Sequence, residues 1–190
     1  MRKKIFGLLL LWAVLNACRQ AEVPRPVGYF RIDFPEKSYR SCDSTLPYRF
    51  EYPVYGIIRR DTAKDAEPYW INIEFPAYKG KLHISYKQIH RNLASYIEDT
   101  RKLAYKHTIK ADAIDEILIR NDSARVYGLI YDIKGNAASS MQFFLTDSVR
   151  HFLRGALYFS SQPNKDSLMP VLDFFKADVN HFIQTLRWKN

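Results

Sequence analysis

The sequence predicts an α+β domain, a mainly antiparallel β-sheet packed with two long helices. Three observations carry that expectation. Apolar and polar residues alternate at period two in "YWINIEFPAYKGKLHISYK" and in four runs between Ile114 and Ser160. The period changes to that of a helix at Gln88–His107 and again in the closing "QPNKDSLMPVLDFFKADVNHFIQTLRW". Short turns rich in Asn, Asp, Gly and Lys separate the strand-like runs, and such turns can join only antiparallel neighbours.

Taken in order, Gly28 to Pro53 is aromatic, aperiodic and punctuated by proline. It reads as an ordered arm that lays its rings on the domain, with a strand starting near Tyr48. A hairpin follows: Ile71, Ile73 and Phe75 alternate, Lys79-Gly80-Lys81 turns, and Leu82, Ile84 and Tyr86 alternate on the return. In the helix from Gln88 to His107, Ile89, Leu93, Tyr96, Ile97, Leu103 and Ala104 share one face. Glu98 can pair with Arg101 and Lys102, and Lys106 and His107 suit the negative end of the helix dipole. The four runs are Ile114–Arg120, Arg125–Ile133, Ala137–Thr146 and His151–Ser160, with turns at Asn121-Asp122-Ser123, Lys134-Gly135-Asn136 and Asp147-Ser148. Tyr127, Leu129, Tyr131 and Ile133 make one face, and Leu153, Leu157 and Phe159 another. In the last helix Ser167 reads as the N-cap and Pro170 falls in the first turn, where its missing N–H costs little. Val171, Leu172, Phe175, Val179, Phe182, Ile183 and Leu186 form its apolar stripe.

The N-terminus has a different composition. Arg2, Lys3 and Lys4 precede a short apolar stretch, Ile5 to Leu15, too short for an ordinary membrane-spanning helix of about 20 residues. Basic start, short apolar core and small-residue site mark a secretory signal peptide. Leu15-Asn16-Ala17-Cys18 looks like a bacterial lipobox, in which the cysteine is acylated and becomes the first residue. Only a thiol can carry the thioether-linked lipid, so Cys18 is the expected lipidation site. The domains expected are therefore a signal peptide at 1–17, the lipidated cysteine and an extended tether at 18–27, and a single α+β domain at 28–190. Among 190 residues, 47% are hydrophobic, enough for one substantial core. The formal charge is +9, and loss of Arg2, Lys3 and Lys4 with the signal lowers it to +6. For an exported protein that charge reads first as simple solubility, and its better partners would be anionic lipid headgroups or acidic protein faces, not nucleic acid.

Catalytic signatures are missing. His83, His90, His107, His151 and His181 form no metal-ligand spacing, and no Gly-x-Ser-x-Gly elbow, phosphate loop or dinucleotide fingerprint occurs. With Cys18 lipidated, Cys42 has no partner for a disulfide and reads as a half-buried structural thiol. Asp112, Asp115 and Glu116 read as a solvated acidic turn. Gly135-Asn136 reads as a hairpin turn, although the small polar residues after it would also suit an oxyanion site. A hydrolase would have only Cys42, His83 and Asp112 as nucleophile, base and orienter. An alternative is an envelope ligand-binding or sensing module, with Tyr29, Phe30, Phe34 and Tyr39 of the arm lining an aromatic groove. No enzyme, cofactor or metal is expected.

The stretches "GYFRIDFPEKSYR", "YIEDTRKLAYKHTIKADAI", "YGLIYDIKGNAASSMQFFLTDS" and "HFLRGALYF" resemble the gliding-motility lipoprotein GldD family of the Bacteroidota, from about Pro26 to Lys189. The resemblance implies a palmitate-bearing lipoprotein of the outer membrane. It would be a non-enzymatic component or assembly factor of gliding motility and the associated type IX secretion machinery. Its partners would be the membrane, through the lipid on Cys18, and other envelope proteins of that machinery. Some lipoproteins of these bacteria reach the cell surface through an acidic signal just after the cysteine. Arg19-Gln20-Ala21-Glu22 holds one acid, so the expected facing is periplasmic. The order of strands and helices is also similar to the PsbP/Mog1-like α/β/α sandwich.

Overall fold

The computed structural model describes residues 32–106, 111–135, 137, 139–160 and 165–189. Cys18, the signal and tether, Tyr29, Phe30, His107 and Asn136 lie outside them. Among the described residues ten strands and two α-helices follow in order: β1 (Tyr39–Cys42), β2 (Tyr48–Pro53), β3 (Ile57–Arg60), β4 (Ile71–Phe75), β5 (Gly80–Gln88), α1 (Leu93–Tyr105), β6 (Ala111–Asn121), β7 (Val126–Gly135), β8 (Ser139–Thr146), β9 (His151–Phe159), α2 (Lys165–Thr185) and β10 (Arg187–Trp188). Seven strands make one sheet in the order β3-β4-β5-β9-β8-β7-β6, and β1-β2-β10 make a smaller one. Every pairing is antiparallel. Strands β6 to β9 form the expected meander. The expected hairpin β4–β5 joins it because β5 pairs with β9 over its full length, from Gly80↔Phe159 to Gln88↔His151.

The large sheet is covered on both faces. On one face α2 and β2 supply Phe175, Val179, Phe182, Tyr48 and Phe50 to a core with Ile73, Ile84, Leu145, Leu153 and Leu157. On the other, Ala104 of α1 closes over Tyr131, Ile133, Phe144 and Phe152. This explains β8, whose eight residues are all buried: a central strand covered on both sides has no water-facing row to carry polar residues. Full burial of a Phe side chain is worth about 1.5–3 kcal/mol, so Phe175 and Phe182, both at 1% exposure or less, hold α2 to the sheet. Gly128 and Gly155 allow close approach: a Cβ on Gly128 would lie 1.8 Å from the Phe144 carbonyl oxygen, and one on Gly155 would lie 2.1 Å from the Phe143 ring.

Several expectations are corrected. The arm is not wholly irregular, because Tyr39–Cys42 pairs with Phe50–Pro53, and Ile57–Arg60 adds an edge strand beside β4. The first helix starts at Leu93 instead of Gln88, since Gln88 still pairs with His151 and Arg91 takes a left-handed φ of 63° that no helix continues through. Its buried stripe then runs through Thr100 and Ala104, and Leu103 falls at the edge, 37% exposed. Ser167 lies inside α2, not at its cap, and Pro170 falls in the second turn. Glu98 pairs with Arg101 and Lys102 as expected.

Candidate functional site

Two polar clusters stand out from the packed aromatic surfaces. The first ties the arm to α2. Asp178 sits within the apolar stripe of α2, between Phe175 and Phe182, at 4% exposure. Its Oδ1 accepts from Lys37 Nζ at 2.6 Å and from the Tyr39 hydroxyl at 2.9 Å, and its Oδ2 accepts from the Tyr55 hydroxyl at 2.6 Å. Lys37 Nζ also donates to the Phe174 carbonyl at 2.8 Å and stands 3.3 Å from the Phe174 ring centroid. Burial pulls the Lys37 ammonium below the usual lysine range, against the pull of Asp178. Burial, then the bond to Asp178, pushes the Tyr39 phenol up to about 12. Phe34 stacks on Phe174 at 4.4 Å and Tyr39 stacks on His181 at 3.6 Å. The two described rings of the expected aromatic groove are therefore spent on packing and bonding α2. The sequence carried a signal for this cluster, an acid one place before Val179 in an apolar stripe.

The second cluster closes one end of the sheet. Tyr86 OH and His151 Nδ1 lie 2.8 Å apart, and His151 stacks on Trp188 with ring planes 5° apart. Burial lowers the His151 pKa, opposed by the Asp147 charge and a bond to the Lys189 backbone. Asp147 Oδ1 accepts backbone N–H groups from Val149, Arg150 and His151 at 2.8–3.0 Å. Burial raises the Asp147 pKa, but these bonds outweigh it and hold the carboxyl below its ordinary value. A cleft of about 360 Å³, lined by Pro47, Tyr86, His90, Arg150, His151 and Lys189 among others, lies on one side of His151. A cleft of about 190 Å³, lined by Arg125, Asp147, Arg150 and Trp188 among others, lies on the other. Lys189 is bound to Asp43, while Arg125 and Arg150 form no ion pair among the described residues. The end of the sheet is thus cationic. His151 holds β10 and β5 together, through its Nδ1 contact with Tyr86 of β5 and its ring stack on Trp188 of β10.

The candidate hydrolase residues are not assembled. Cys42 is half-buried, its sulfur 3.8 Å from Ser44 Oγ, and it lines a groove of about 510 Å³ with Leu46, Tyr69 and Trp70 among others. His83 on β5 is bonded to Asn72 Oδ1 at 2.8 Å. Asp112 is on β6, four strand steps from β5, roughly 19 Å at ~4.8 Å per step. In the acidic turn, now the strand β6, Asp115 pairs with Lys134 and Glu116 accepts from the Tyr105 hydroxyl. Gly135 ends β7 with a φ of 105°, as a turn requires, and the Ser139 hydroxyl donates to the Leu157 carbonyl instead of facing an oxyanion. Among the described residues no group of three His, Cys, Asp or Glu side chains gathers to hold a metal. No helix among them is long and apolar enough to cross a membrane.

The architecture defines the class first. It is that of PsbP: the solution structure of cyanobacterial PsbP (CyanoP) from Synechocystis sp. PCC 6803 matches with a TM-score of 0.50 and 13% identity. The match covers 86% of this chain and 99% of that one. At that identity the likeness is one of fold alone. No curated protein matches the chain by sequence. The family is defined by the sequence itself, which matches "Gliding motility lipoprotein GldD" over residues 19–188, and the chain belongs to that family. It is a gliding-motility lipoprotein, of a kind held at a membrane of the cell envelope by lipid.

Proposed function

We propose that the protein is a non-enzymatic component or assembly factor of the gliding-motility and type IX secretion machinery. Lipid on Cys18 holds it at the outer membrane, facing the periplasm, with residues 18–27 as the tether and 28–190 as the working domain. The observation that carries this reading is the family match over residues 19–188, which begins at the residue after the lipobox cysteine. The wide separation of His83 from Asp112 supports a scaffold over an envelope hydrolase. The spent rings of Phe34 and Tyr39 argue against an aromatic binding groove in the arm. The cationic end of the sheet suits an acidic face on another component of the machinery. Clean deletion of the gene should block export of type IX cargo, measured by immunoblotting of culture medium, and complementation should restore it. Normal export in the deletion strain would overturn the reading.

A further inference from the structure

The two edges of the large sheet are unlike. One is β3, four residues long and ending in Arg59 and Arg60. Shortness and charge are common means of blunting an edge. The other is β6, eleven residues with neither proline nor lysine, which among the described residues pairs with β7 alone. It carries Leu118 at 74% exposure, the highest of any large apolar side chain described, and Ile117 at 49%. Alternation puts these two on opposite faces. Leu118 stands beside Leu129 on the α1 face, and Ile117 beside Ile130 on the α2 face. A long edge with apolar side chains exposed on both faces is a template for an added strand.

The charges on β6 decide which strand fits. A second β6, added antiparallel about a two-fold axis along the sheet normal, keeps each face with its like, so one residue sits opposite its own copy. Centring on Asp115, Glu116 or Arg120 sets like charges face to face. Centring on Ile117 sets Glu116 against Leu118, and centring on Ile119 sets Arg120 against it. Centring on Leu118 matches throughout: Leu118 meets the copy's Leu118, Ile117 meets the copy's Ile119, and Glu116 meets the copy's Arg120. Arg120 holds Asp122 at 69% and 63% side-chain exposure, a pair too solvated to resist the exchange. The same axis suits two anchored chains. Ile32 and Phe34 pack on the core beneath α2. A two-fold along the sheet normal turns both α2 faces the same way, so the described part of each chain starts on the same side, as two lipoproteins in one membrane require. A seam of two strands falls at the low end of interface size, under about 1,200 Å². Confinement to one membrane supplies the effective concentration so small a seam needs.

We propose that β6 is a self-association edge, through which two copies join their seven-stranded sheets with Leu118 on the two-fold axis. The register stands on β6 alone, and its occupancy in the cell rests on the lipid anchor proposed above. The test uses the full-length chain with Cys42→Ser in intact cells, and sedimentation of the same cells reads the anchor separately. Treated with a short bismaleimide, Leu118→Cys should run as a homodimer on non-reducing denaturing gels. Its yield should exceed by about tenfold that of Asp122→Cys, an exposed turn site ~27 Å from its copy in this register. Arg120→Glu sets an acid against the copy's Glu116 and should remove the homodimer. Glu116→Arg combined with Arg120→Glu should restore it, which a misfolded variant could not do. A homodimer without sedimentation rejects the anchor alone, and sedimentation without a homodimer rejects the seam alone. The proposal is overturned by absence of the Leu118→Cys homodimer, by equal linking at position 122, by linkage of Leu118→Cys to another protein in place of its own copy, or by a charge swap that restores nothing.

Discussion

Asp178 shows how one side chain can fix the placement of a long segment. Lys37, Tyr39 and Tyr55 are more than 120 residues away in sequence, and all three end on its carboxylate. Asp178→Ala should therefore cost roughly 2–3 kcal/mol in denaturant unfolding. That is below the 3–5 kcal/mol of a fully buried pair, because Lys37 keeps 31% of its side chain in water. A change under 0.5 kcal/mol would mean the three donors find water as readily as Asp178. His83 and His151 give a second expectation at this scale. Burial lowers both pKa values, so the folded state binds fewer protons than the unfolded chain below about pH 6.5. Stability should rise with pH up to that point, stay level just above it, and fall as acid is added. Thermal unfolding midpoints measured from pH 7.5 to 5 would show the drop, and a midpoint that rose on acidification would contradict the neutral, buried state of both rings. Of these residues the sequence announced little. Asp178 was visible as an acid in an apolar stripe, but its three partners come from a stretch with no period to read.

At the scale of elements, legibility followed periodicity. The hairpin β4–β5, the meander β6 to β9 and the two helices were readable because each has a face and each turn has its chemistry: Asn121 Oδ1 accepts from Ala124 N–H, and Ser148 takes a φ of 68°. Strands β1 and β3 were not readable. Each has four residues, too few to display alternation, and each exists by pairing with a better-formed neighbour. The end of β5 defeated the pattern in another way: Ile89 fits the helical face, yet the ladder to β9 holds Gln88 in the sheet. The pairing of β7 with β8 makes its own demand on sequence. Gly128→Ala would drive a methyl group into the Phe144 carbonyl, a backbone atom that cannot rotate away. The expected loss is about 3 kcal/mol, at the upper end for overpacking. Urea titration would measure it, and an unchanged midpoint would mean the β7–β8 ladder opens without cost.

For the whole molecule, the decisive separation is between holding at the membrane and folding. Among the described residues the buried core lies between Leu46 and Leu186. No described helix is long and apolar enough to cross a membrane. Each buried methylene of an acyl chain adds about 0.8 kcal/mol of membrane affinity, so two or three chains hold far more firmly than the net charge of the domain would. Cys18→Ser should therefore leave the unfolding midpoint of the domain within about 1 °C of the native value. It should move the protein from the membrane pellet to the soluble fraction. Activity should fall with it, because a partner met in the plane of a membrane is met at high effective concentration, and the same partner in bulk is not. Supplying another lipoprotein signal that ends at the same cysteine should restore both location and activity. A serine variant that still sediments with membranes, in cells lacking its partners, would show that something other than lipid on Cys18 is the anchor.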